Sequence, residues 1–174
     1  MRVCVSAAAA LLFVAPAGAA DIGNVRALDI AVRGTIAEHC KLANVPNMAF
    51  GDITRPGLAV ATQVALDCNV PINVTIRAQN GGLANDALPH GQGPYAGTLP
   101  YILQVQIPVR RPAPAIVSQA FASRDLVAGQ SISSAGGIAV DGMALNIALG
   151  LPGSEAGLLG GRYGEVIEIS VTPG

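Results

Sequence analysis

Three cysteines and two histidines are the residues of this chain best suited to nucleophilic or metal chemistry. Cys40 follows Glu38 and His39, the neighbourhood in which a thiolate–imidazole pair could be imagined. Cys4 lies in a leader expected to be removed, so Cys40 and Cys68 remain as an isolated pair, and in an oxidising compartment such a pair bridges. A bridged sulfur cannot attack a substrate, so His39 is expected to be a surface side chain beside a disulfide. Closing a loop of about 29 residues stabilises by roughly 3 to 4 kcal/mol in the chain-entropy account. Two thiols and two scattered histidines have no metal-ligand spacing, and nothing calls for a cofactor.

The other candidates are thin. His90 stands alone in the Gly/Pro-rich stretch His90-Gly91-Gln92-Gly93-Pro94. Glu165 and Glu168 are three apart on a strand-like run and face opposite sides, which spoils a carboxylate pair. Gly91-x-Gly93 lacks the strand-to-helix setting of a phosphate loop. Arg110-Arg111 is too small for a polyanion patch, and the net charge near −1 argues against nucleic acid. Asn73-Val74-Thr75 spells a glycosylation triplet, but Asn73 lies inside a strand-like run. With no Trp, three Tyr and three Phe, an aromatic sugar platform is also missing. The expectation is a protein that is not an enzyme.

The compartment follows from the first twenty residues. Arg2 supplies a positive charge, an apolar stretch rich in Ala and Leu follows, and Pro16 precedes Ala17-Gly18-Ala19, the small-x-small pattern of a cleavage site. Residues 1–20 are expected to be a signal peptide, too short in its apolar part to span a bilayer. No later segment is long and apolar enough to cross a membrane. The expected mature chain, about 154 residues, is the size of one domain. Only 12% of the residues are charged, whereas 51% are hydrophobic, so apolar surface is expected to be exposed or covered by a partner.

Alternation with a period of two runs through the chain and predicts strands with one face on a core. Ile22, Leu28, Ile30, Val32 and Ile36 share one parity. Val64, Leu66 and Cys68 share another, and Ile72, Val74 and Ile76 follow. Tyr101, Leu103, Val105 and Ile107 alternate with polar residues and Ile102, as do Tyr163, Ile167, Ile169 and Val171 with Glu168, Ser170 and Thr172. Turn formers lie between, at Asn80-Gly81-Gly82, Ala135-Gly136-Gly137, Leu151-Pro152-Gly153 and Gly160-Gly161. Residues 109–114 (Val-Arg-Arg-Pro-Ala-Pro) are expected in a loop or at an edge, because proline lacks a ladder donor. Residues 154–159 have the length of a single helical turn. The pattern is that of a β-sandwich or barrel in one domain. Strands at both chain ends leave edges that need covering, and a neighbour's strand can cover one.

The ordered pieces also resemble the spore coat protein U family, which includes the subunits of archaic chaperone–usher pili. They are Ala37-Glu38-His39-Cys40-Lys41-Leu42, Met48-Ala49-Phe50-Gly51, Val64-Ala65-Leu66-Asp67-Cys68, Val74-Thr75-Ile76 through Gly81-Gly82, and Leu99-Pro100-Tyr101-Ile102-Leu103. The ending Gly161-Arg162-Tyr163-Gly164-Glu165 followed by alternating residues to Pro173 is similar to the family's glycine-x-tyrosine-x-acidic signature. The resemblance implies an all-β, immunoglobulin-like β-sandwich that lacks one strand and is completed by donor-strand exchange. It implies a donor extension at residues 21–36 with Leu28, Ile30, Val32 and Ile36 as plugs, ahead of a domain at residues 37–174. It also implies an acceptor groove lined partly by Tyr163, Ile167, Ile169 and Val171. The implied partners are identical or related pilin subunits, a periplasmic chaperone and an outer-membrane usher. The implied product is a surface fibre with a role in adhesion or biofilm. The chain departs from the family where Leu103 to Ile107 runs into residues 109–114 rather than an aromatic and charged stretch. It has no room for the second domain of a tip adhesin, so a shaft or minor subunit is expected. The rival readings are a monomeric secreted β-sandwich binding module and, on a poor inventory, a small secreted hydrolase.

Overall fold

A computed structural model gives the structure of residues 30–174. The expected signal peptide and Leu28 lie outside the described residues. The chain divides between Thr35 and Ile36, and the elements below belong to Ile36–Gly174. Residues 30–39 belong to no helix or strand. The strand expected from the alternation of Ile30, Val32 and Ile36 is therefore not formed over these residues. Alternation specifies which faces a strand would have, but a strand exists only where a second strand pairs with it.

Twelve strands and one short helix follow. The first six strands are β1 (Cys40–Leu42), β2 (Ala59–Val64), β3 (Leu66–Cys68), β4 (Pro71–Ala78), β5 (Leu83–Asn85) and β6 (Thr98–Leu99). Then come β7 (Tyr101–Arg111), β8 (Ala113–Ala122), a 3-10 helix (Ser123–Ala128), β9 (Gln130–Ile138), β10 (Met143–Leu149), β11 (Tyr163–Gly164) and β12 (Ile167–Pro173). In β4 the side chains of Ile72, Val74 and Ile76 are fully buried while Thr75 and Arg77 face out. Leu103, Val105 and Ile107 of β7 and Met143, Leu145 and Ile147 of β10 join them in one core. The period of two thus does what the sequence suggests: each strand puts alternate aliphatic residues on a common interior.

The main sheet runs β12-β4-β9-β7-β10-β2, with β8 paired to β7, and all its ladders are antiparallel. Between β9 and β7 a single pair, Arg110 with Ile138, makes the join. So narrow a hinge lets the two arms, β12-β4-β9 and β8-β7-β10-β2, turn toward each other as a curled half-barrel around the core. Both β12 and β2 end the sheet, each with one neighbour.

Two local expectations change, and the one for residues 109–114, a loop or an edge, is met. Ala135-Gly136-Gly137 is a bulge inside β9 rather than a turn between strands. Ala135 and Gly136 take positive φ values of 52° and 79°, and the β4–β9 register shifts between Pro71 and Asn73. The Ile72 N–H donates instead to the buried Ser134 Oγ at 2.9 Å. Residues 109–114 are the tip of the β7–β8 hairpin, with only Pro112 outside the strands, and Pro114 sits on β8, which pairs with β7 alone. Residues 154–159 form no helix; the Gly157 N–H donates to the Ser154 carbonyl in a reverse turn. The helix lies instead at Ser123–Ala128 and caps the core with the buried Leu126.

Candidate functional site: an apolar groove beside the last strand

Cys40 and Cys68 form a disulfide across directly opposite positions of β1 and β3, with Cα atoms 4.0 Å apart. Such a pairing is compatible with an oxidising compartment. Immediately before it, Asn69 holds the chain at three points. Its Oδ1 accepts from the His39 N–H at 2.8 Å, its Nδ2 donates to the Ala37 carbonyl at 2.8 Å, and its own N–H donates to the His39 carbonyl at 3.1 Å. The His39 imidazole faces the Asp67 carboxylate at 3.8 Å, with both side chains exposed. With both sulfurs bridged, no thiolate stands beside it.

The remaining chemical candidates do not converge. Glu165 accepts from the backbone N–H groups of Asn80 and Gly82 and from its own neighbour Val166, at 3.0, 2.9 and 2.9 Å. That carboxylate ties the start of the last strand to the β4–β5 turn. Glu168 lies on the exposed face of β12, opposite Arg77. Arg110 pairs with Asp141 at 3.3 Å on the surface, and Arg111 reaches the Ser134 carbonyl, so the two arginines split between partners. Asn73 sits within β4 between β12 and β9, and His90 is exposed in its loop. Among the described residues no group of three His, Cys, Asp or Glu side chains could hold a metal ion. No helix there is long and apolar enough to cross a membrane.

What the fold does build is a groove of about 390 Å³ beside β12. Its floor comes from Tyr101 and Leu103 of β7 and Leu145 and Ile147 of β10, and its wall from Tyr163, Ile167 and Ile169. Three of the four expected acceptor residues thus line one cavity. Val171 continues the same face of β12 outside the lining and packs partly against the core. The inward residues of β12 are only half-buried, yet their cross-strand partners on β4 are not. Ile169 stands opposite Ile76 and Val171 opposite Val74, both 0% exposed. Neighbouring residues with the same orientation differ because β4 has a strand on each side and β12 has one.

Val45, Met48 and Phe50 border the groove as well, half-buried on a segment without strand structure. Among the described residues, positions 44–51 take part in no hydrogen bond, so only side-chain packing holds this cover. The expected plugs stand exposed: Ile30 at 75%, Val32 at 88% and Ile36 at 86%. Leu28 lies outside the described residues.

One groove residue was not singled out by sequence chemistry. Among the described residues, the Tyr101 hydroxyl is the buried side-chain polar atom with no hydrogen-bond partner. Leaving such a group unpaired costs about 1–3 kcal/mol. Burial pushes its phenol well above the ordinary tyrosine value, and the nearby Glu165 charge pushes the same way. Tyr163, by contrast, donates to the Leu159 carbonyl at 2.7 Å. Tyr101 sits in an alternating strand like any core residue, so only the absence of a partner in three dimensions marks it. The chain matches no family model, no curated protein and no solved structure.

Proposed function

We propose that this protein is a structural subunit of an exported fibre, a sandwich short of one strand that is completed by the N-terminal segment of a neighbouring copy. The observation that carries the reading is the half-buried apolar face of β12 beside an open groove. A free edge with an apolar flank is a site for strand addition. The exposed Ile30, Val32 and Ile36 offer the complementary alternating face, and Leu28 extends it in the sequence. Burying three such aliphatic side chains contributes on the order of 5 to 8 kcal/mol before ordering costs, with ladder hydrogen bonds in addition. The contact is head-to-tail, and a head-to-tail contact that does not close propagates as a fibre.

The immunoglobulin-like form of the sandwich, the spore coat protein U resemblance and a role in adhesion or biofilm belong to this proposal. So do a periplasmic chaperone that shields the groove and an outer-membrane usher that exchanges it for the next subunit. The test is to remove residues 21–36 behind an intact signal peptide and express the protein in the periplasm together with a chaperone of the archaic chaperone–usher type. The full chain is expected to give a ladder on unheated SDS gels that collapses to monomer on heating, and the shortened chain only monomer. Equal ladders from both would overturn the reading in favour of a different contact. Monomer from both would favour the monomeric binding module.

A further inference from the structure

Every ladder in the main sheet is antiparallel, and β12 offers its inward face in the order Ile167, Ile169, Val171, with Glu165 and Tyr163 preceding it on the same parity and lining the same groove. The N-terminal segment offers Leu28, Ile30, Val32, Gly34 and Ile36 on one parity. Laid antiparallel, Leu28, Ile30 and Val32 meet Val171, Ile169 and Ile167, aliphatic against aliphatic. Gly34 then falls opposite Glu165, just before the start of β12, where Glu165 lines the same groove as Tyr101 and lies near enough for its charge to act on the phenol. A strand lying on this wall points side chains inward and keeps its carbonyls lateral. Only where the inward residue has no side chain does a phenol from the floor come near the main chain.

Resting on the strand-donation reading, we infer that residues 28–36 of a second copy enter antiparallel to β12 with Gly34 over Tyr101, whose hydroxyl donates to a main-chain carbonyl of the incoming strand. Tyr101 is then the residue that sets the register. Apart from Asn47 on the cover, the other polar side chains lining the groove are already satisfied: the Tyr163 hydroxyl is engaged, and Glu165 accepts three backbone N–H groups. Within the described fold nothing answers the Tyr101 hydroxyl. The cover at positions 44–51 takes part in no hydrogen bond, so an incoming strand has only side-chain packing to displace. Sliding the strand by two residues would put Val32 or Ile36 over the phenol and leave it unanswered.

The probe is a labelled synthetic peptide of residues 21–36, titrated onto the full-length protein by fluorescence anisotropy. Tyr101→Phe keeps the ring and removes the hydroxyl. It is expected to weaken peptide binding about 5- to 10-fold, the worth of one hydrogen bond, while the melting temperature of the free protein holds or rises. A peptide carrying Gly34→Val is expected to lose at least about 10-fold on the wild-type protein, since its side chain overpacks the site. That change leaves the protein untouched, and Gly34 has open space around it in the free chain. Equal affinity of wild-type and Tyr101→Phe protein, or of the wild-type and Gly34→Val peptides, overturns the register. A fall in melting temperature alongside the affinity makes Tyr101 merely structural and overturns it too. No binding of the wild-type peptide to the wild-type protein overturns the strand-donation reading itself.

Discussion

Replacing Ile169 by alanine and, separately, its cross-strand partner Ile76 by alanine probes two residues of the same type, facing the same way on adjacent strands. Ile76 is wholly buried, so truncation leaves a cavity between β12 and β9 and should cost about 2–5 kcal/mol in the isolated subunit. Ile169 is half-buried along the groove. Full burial of an isoleucine contributes about 1.5–3 kcal/mol, and roughly half of that is realised in the isolated chain. Ile169→Ala should therefore cost the subunit about 1 kcal/mol and the assembly about 1 kcal/mol more per contact. Urea titration of dilute monomer measures the first quantity, and the temperature at which the SDS-resistant ladder collapses reports the second. The expected result is a small loss of subunit stability with a clear loss of ladder for Ile169→Ala. Ile76→Ala should show a large loss of subunit stability. If Ile169→Ala destabilises the monomer as much as Ile76→Ala, the groove is closed by the chain itself. If it leaves the ladder unchanged, β12 is not the accepting edge.

Removing the Cys40–Cys68 bridge by replacing both residues with alanine should cost roughly 3 to 4 kcal/mol, read as a lower urea midpoint that matches the wild-type protein in reductant. Ser134→Ala leaves the Ile72 N–H at the β9 bulge without an acceptor and should cost about 1–3 kcal/mol, with faster amide exchange at Ile72. Tyr101 gives a pH signature. Burial holds its phenol well above the ordinary tyrosine value, so as pH rises past about 10 the unfolded chain loses that proton while the folded chain keeps it. Stability should then fall with rising pH in that window, and the Tyr101→Phe variant should show a shallower fall in urea midpoint.

Some of this molecule is readable from local pattern alone. The runs at Val64 to Cys68, Ile72 to Ile76, Tyr101 to Ile107 and Ile167 to Val171 alternate with few exceptions (Ala65 and Ile102), and the backbone period of a strand turns that alternation into a more buried and an exposed face. Other strands escape the same logic. In β10, Ala144 and Ala148 separate Met143, Leu145, Ile147 and Leu149, so apolar residues occupy both faces and the contrast blurs. β8 is nearly all apolar yet mostly exposed, since it overhangs β7 at an edge. In β9 the glycines signal a turn, but they serve a bulge because Ser134 supplies the acceptor that the ladder loses.

The cysteine pair was legible because only two thiols remain after the expected leader, and chemistry leaves one pairing. That the bridge joins directly opposite positions of two short strands, with Asn69 holding the chain just before it, came only from the fold. β4 and β12 show the division most plainly. Their alternation is equivalent in sequence, so each residue's inward orientation is a local property. Whether that inward face is sealed depends on how many strands flank it, which is settled by pairings between residues far apart in the chain. The groove and the unpartnered Tyr101 hydroxyl arise at that second level, where β7, β10, β11 and β12 meet.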